Sequence, residues 1–130
     1  MIDPDNPPRW WTVDETNAAL PHVTEIVERA VEAARALAAR ADSVASAATG
    51  NGHANRDDGA GAFERAVRDL EAEGIVLRDV SRGLVDFPAH APSGRGYWLC
   101  WLVGEPDVGW WHWPEDGFAG RTPLSQPPES

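Results

Sequence analysis

Six side chains in the last third of the chain are of types that do chemistry: Asp86, Cys100, Glu105, His112, Asp116 and Arg121. A histidine with carboxylates and a thiol is a metal-ligand vocabulary, since imidazole, thiolate and carboxylate are the usual donors to zinc-class ions. An Asp–His pair is equally the pair that orients an imidazole for proton transfer or for ligation. Spacing tests these readings. With Pro106-Asp107 as a two-residue turn, Glu105 faces Val108 and Trp101 faces His112. Glu105 and His112 then stand four strand positions apart, roughly 13 Å, whereas ligands of one zinc each come within about 2.0–2.2 Å of it. In that register Cys100 points away from His112, beside Trp98 and Leu102, as a small core residue. Unless the hairpin is bulged these residues do not chelate one ion, and no metal is expected. Asp86 survives: when LVDFP pairs with YWLCW, Asp86 can share the His112 face near Trp101. The candidate ligand-binding set is Asp86, Trp101, Trp110, His112 and Arg121, with Arg121 as a fork for a carboxylate or for loop carbonyls. No catalytic residue and no cofactor can be assigned, because the chain lacks a G-x-S-x-G elbow, a P-loop and a dinucleotide fingerprint.

The elements that position these residues read as follows. TVDE at 12–15 is a capping box, so a helix starts at Val13. Pro21 kinks or restarts it. Val23, Ile26, Val27, Ala30, Val31, Ala34, Leu37, Ala38 and Ala41 then repeat at helical spacing, carrying the helix to about residue 48. The stretch 49–60 is a flexible Gly- and Asp-rich connector containing His53. A second helix occupies about 61–73, with Gly74 as its left-handed cap. From residue 75 the period becomes alternating, and IVLRD, LVDFP, YWLCWLV and VGWWHW mark strands over about 75–113. The expected fold is α+β: a long antiparallel helical hairpin packed on a three- or four-stranded antiparallel meander. One domain spans 12–124, between a mobile arm (1–11) and a disordered tail (125–130).

The motifs GLVDFPA (83–89), LCW (99–101), GE (104–105), WH (111–112) and GFAGR (117–121), with T-x-x-E-x-N-x-x-L-P at 12–21, resemble the bacterial family known as domain of unknown function 2203. The resemblance spans Trp11 to Leu124 and implies a small cytoplasmic domain with a helical hairpin and a compact β region. It brings no activity. The Gly/Asp-rich connector and the absence of Lys depart from the family pattern without touching the C-terminal motifs.

Composition bounds the partners. The 130 residues carry a net charge of −10, and all 11 basic residues are arginines. So acidic a chain repels phosphate backbones and anionic lipid, so neither nucleic acid nor a membrane is an expected partner. No segment approaches the roughly 18 apolar residues of a membrane helix, and the first residues lack signal-peptide features. A single cysteine fits a reducing cytoplasm.

The alternation has one anomaly. Tyr97, Leu99, Trp101 and Val103 take one side of their strand, while Trp98, Cys100 and Leu102 take the other. Both sides are apolar, yet one helix layer covers one side. The second side could be closed by Trp10 and Trp11 of the arm, by a protein partner or second copy, or by a small-molecule ligand. The leading functional expectation is a cytoplasmic binding or interaction domain using this Trp-rich face. The alternative is a small-molecule or metal-assisted enzyme centred on His112 and Asp86.

Overall fold

The structure, a computed structural model, describes residues 7–47, 53–116 and 120–128. Helix α1 (Val13–Ala47) and helix α2 (His53–Ala72) are followed by five strands: β1 (Val76–Asp79), β2 (Leu84–His90), β3 (Gly96–Leu102), β4 (Trp110–His112) and β5 (Thr122–Pro123). The strands pair antiparallel in chain order. The fold is α+β as expected, with five strands instead of three or four.

Local chemistry sets the helix ends. The Thr12 amide donates to Glu15 Oε1 and the Glu15 amide to Thr12 Oγ1, both at 3.1 Å, which closes the capping box. Helix α1 runs through Pro21, which is exposed. Leu20, Val23, Ile26, Val27 and Ala30 form its buried stripe, joined in one core by Ala66 and Leu70 of α2. Helix α2 stops where Gly74 turns left-handed at φ 81°, and the Ile75 amide closes the cap on the Leu70 carbonyl at 2.9 Å.

Three expectations on extent need correction. Residues 53–60 of the presumed connector are helical, so α2 begins at His53 instead of near 61; residues 49–52 lie outside the described set. Once a helix is nucleated and anchored, each further residue adds a hydrogen bond, and this carries α2 through Gly and Asp. The arm is not loose at its inner end. The Trp11 amide donates to the Pro88 carbonyl at 2.7 Å, its indole Nε1 donates to the Glu73 carbonyl at 2.9 Å, and the side chain is 3% exposed. The tail is likewise tied at its start, where the Trp111 indole donates to the Gln126 carbonyl at 2.9 Å.

The β1–β2 turn is closed by Asp79, which accepts from the Ser81 hydroxyl at 2.6 Å and from Arg82 Nε at 2.8 Å. These two hydrogen bonds, Ser81's foremost, lower its pKa from 3.8 to about 2. A carboxyl depressed on folding contributes stability above its unfolded pKa and loses it as pH falls through the folded value. The turn should accordingly hold at pH 4 and loosen only towards pH 2, with carboxyl-carbon NMR giving an Asp79 midpoint near 2. A midpoint at or above 3.8 would show the turn is not closed this way. Gly83 in the same turn has φ 67°, and a Cβ there would sit 2.8 Å from Val103, so only glycine fits.

Candidate functional site

The ladder decides which side chains meet. In β2–β3, Asp86 lies opposite Cys100 and Pro88 opposite Trp98. In β3–β4, Trp98 lies opposite His112 and Cys100 opposite Trp110. Alternation then sorts the sheet into two faces. Val85, Phe87, Ala89, Tyr97, Leu99, Trp101 and Trp111 join the core with the helices. Leu84, Asp86, Pro88, Trp98, Cys100, Trp110 and His112 occupy the other face.

The assumed two-residue turn is wrong. The β3–β4 connection runs from 103 to 109; inside it the Glu105 amide bonds the Leu102 carbonyl at 3.0 Å and Glu105 Oε1 accepts from the Leu102 amide at 2.8 Å. The Val108 amide leaves the ladder for Asn17 Oδ1 on α1, at 2.8 Å. This moves His112 from opposite Trp101 to opposite Trp98, an odd shift that exchanges faces. Trp101 thereby leaves the candidate set for the helix-side core, where its indole donates to the Glu105 carbonyl at 2.9 Å. Cys100 joins Asp86 and His112, contrary to the spacing argument.

Asp86, Cys100 and His112 are 1%, 0% and 3% exposed, and their ligand atoms all lie within 4.8 Å of one another. Asp86 Oδ2 accepts from His112 Nε2 and from Arg78 Nε, each at 2.8 Å. His112 Nδ1 donates to the Trp113 carbonyl at 2.8 Å. Both imidazole nitrogens thus face acceptors, so the ring is held as a doubly donating imidazolium. Burial works against that charge, but the Asp86 hydrogen bond and charge and the Trp113 carbonyl outweigh it, and the pKa is raised. Asp86 Oδ1 is buried without a hydrogen-bond partner, an unusual state for a carboxylate oxygen.

Cys100 is no nucleophile as it stands. Burial, then the Asp86 charge, pushes its thiol up to about 12 against the opposing hydrogen bond and charge of Arg121. Arg78 reaches the cluster by simple alternation: Val76 lies opposite Asp86, and Arg78, two residues on, shares their face. Sequence reasoning missed Cys100 and Arg78: the first needs the true register of β4 on β3, the second that of β1 on β2.

The second face is closed from within the chain. The Arg78 guanidinium lies over Trp98 at 4.8 Å and that of Arg121 over Trp110 at 4.4 Å. Arg121 Nη1 stands 3.7 Å from Glu105 Oε2, and Trp10 stacks on His90 at 3.6 Å. None of the seven tryptophans is exposed, so the sheet presents no bare aromatic wall. Of the candidate set, Asp86 and His112 are in contact, Arg121 and Trp110 border them, and Trp101 is apart. Asp116 is exposed and outside the cluster.

Among known proteins, residues 9–124 match the family model described as "Uncharacterized conserved protein (DUF2203)". No curated protein and no solved structure matches the chain. Among the described residues no helix is long and apolar enough to cross a membrane.

Proposed function

The chain belongs to the DUF2203 family of uncharacterised conserved proteins, and since that description assigns no activity, we propose a function from the site itself: the domain binds one divalent transition-metal ion of the zinc class between Asp86, Cys100 and His112. The observation that carries this reading is the convergence of three donor types within 4.8 Å around a buried carboxylate oxygen that has no partner. A tetrahedral ion holds its donors roughly 3.3–3.8 Å apart, so side-chain shifts of about 1 Å gather them. The Nδ1 hydrogen bond to the Trp113 carbonyl is the arrangement that fixes a ligating imidazole and aims Nε2 at the ion. Binding displaces one proton from the Cys100 thiol and one from His112. Three protein ligands leave a fourth position open, which is the pattern of a reactive centre and not of a closed structural one. The tryptophan-rich partner surface has less support, since its indoles are buried or half-buried within the chain.

The test is elemental analysis of protein purified without chelator, followed by calorimetric titration of the metal-free chain with Zn²⁺. The expected result is one ion per chain, with Cys100→Ser weakening Zn²⁺ affinity by at least about tenfold while the far-ultraviolet spectrum stays unchanged. A folded wild-type chain that takes up neither Zn²⁺ nor Co²⁺ at micromolar concentration would dispose of the proposal.

A further inference from the structure

Resting on that metal reading, we infer that Arg78 is the positioning residue of the site: its Nε–H holds Asp86 Oδ2, so that Asp86 meets the ion through Oδ1 alone and the ion stays four-coordinate. Lone pairs are the first argument. A carboxylate offers about four acceptor positions, two on each oxygen. Asp86 Oδ2 has both of its positions filled, by Arg78 Nε and by His112 Nε2, each at 2.8 Å. Asp86 Oδ1 is buried with neither of its positions filled. An ion entering the cluster takes His112 Nε2 as a ligand and displaces the proton there. That ends the bond from His112 to Oδ2 and leaves the bond from Arg78 in place. The oxygen free to ligate is Oδ1. Gripping the ion with both oxygens would require Oδ2 to leave Arg78.

What holds Arg78 is the second argument. Val76 lies opposite Asp86 in the β1–β2 ladder, so Arg78, two residues on, starts from the face that carries the carboxylate. Its guanidinium rests over Trp98 at 4.8 Å, and Trp98 is buried in the sheet, which makes a fixed platform. The charge of Arg78 matters little here, because the side chain is 42% exposed and water screens it. What reaches the buried carboxylate is one directed N–H. Donors placed behind a ligating group fix how that group is turned towards the ion. Asp86 through one oxygen, Cys100 and His112 supply three protein donors and leave one open position, the arrangement of a tetrahedral ion. Both Asp86 oxygens would supply a fourth protein donor and make the ion five-coordinate.

The experiment loads the full chain with Co²⁺ alone and records its absorption. Wild type should show a thiolate charge-transfer band in the near ultraviolet and the strong visible ligand-field bands of a tetrahedral ion. Absence of the thiolate band overturns the metal reading and this inference together. Arg78→Met and Arg78→Gln then differ at the atom in question. Glutamine places an uncharged N–H where Arg78 carries Nε, and methionine places a methyl group there. Arg78→Met should keep the thiolate band while its visible bands shift and lose the tetrahedral intensity. Arg78→Gln should retain the wild-type spectrum, although the charge is gone. Circular dichroism confirms the fold of each variant. Wild-type visible bands in Arg78→Met, a spectrum of Arg78→Gln that matches Arg78→Met, or weak visible bands in wild type itself would each overturn the role of Arg78. A thiolate band in any of these cases leaves the metal site standing.

Discussion

Asp86→Ala should cost about 3–5 kcal/mol of folding free energy, the range for removing one member of a buried ion pair. The expectation is large because the change strands a charge where water cannot reach. His112 would keep its Nδ1 hydrogen bond to the Trp113 carbonyl and lose the acceptor at Nε2, in a site 3% exposed. Arg78 contributes less to the penalty, because its side chain is 42% exposed and can turn to solvent. Asp86→Asn keeps the shape and one carbonyl acceptor, so it should lose clearly less. Urea denaturation of the two variants and wild type checks the order. Against a total stability of about 5–15 kcal/mol for a domain of this size, that is a large share of what holds the chain folded. A loss under about 1 kcal/mol would mean that the Asp86–His112 contact is not formed in solution.

Trp11→Ala should cost a comparable amount, about 3–5 kcal/mol, for a different reason. Its indole meets the Phe87 ring edge-on at 5.2 Å, lies under the Arg9 guanidinium at 3.7 Å and caps the Glu73 carbonyl at 2.9 Å. Removing it opens a cavity beside β2 and leaves that carbonyl without its donor. Trp11→Phe separates these contributions: it refills most of the space and lacks only the N–H, a loss of about 1 kcal/mol for the bond itself. Denaturant midpoints at unchanged slope would read both. A midpoint for the alanine variant within error of wild type would restore the picture of a free arm.

What the sequence disclosed follows physical range. The capping box at Thr12 and Glu15, the cap at Gly74 and the alternation of β2 and β3 are local, and each is realised at the expected residues. The Asp86–His112 contact was also open to reading, since an acid and an imidazole on paired strands have two parities to choose from. Its other members were not. The parity of β4 depends on how many residues the preceding loop consumes, and that loop is pinned in part by Val108 bonding a helix residue 91 positions away. No short-range pattern encodes such a bond. Arg78 enters through the pairing of β1 with β2, which sets Val76 opposite Asp86 and so puts Arg78 on the same face, a register that no turn signal in the sequence specified. The Pro- and Asp-rich composition around Trp10 and Trp11 hid the arm's anchoring, although two adjacent indoles were a sign of burial.

The Asn17–Val108 bond, with Trp11 on Pro88, also bears on the order of events during synthesis. A nascent chain has the stripe of α1 outside the ribosome long before the strands that cover it exist. Until β2 and β3 emerge, that stripe has only α2 for company, and contacts of such long separation form slowly. Its assembly is thus completed late, by its last third folding back onto its first.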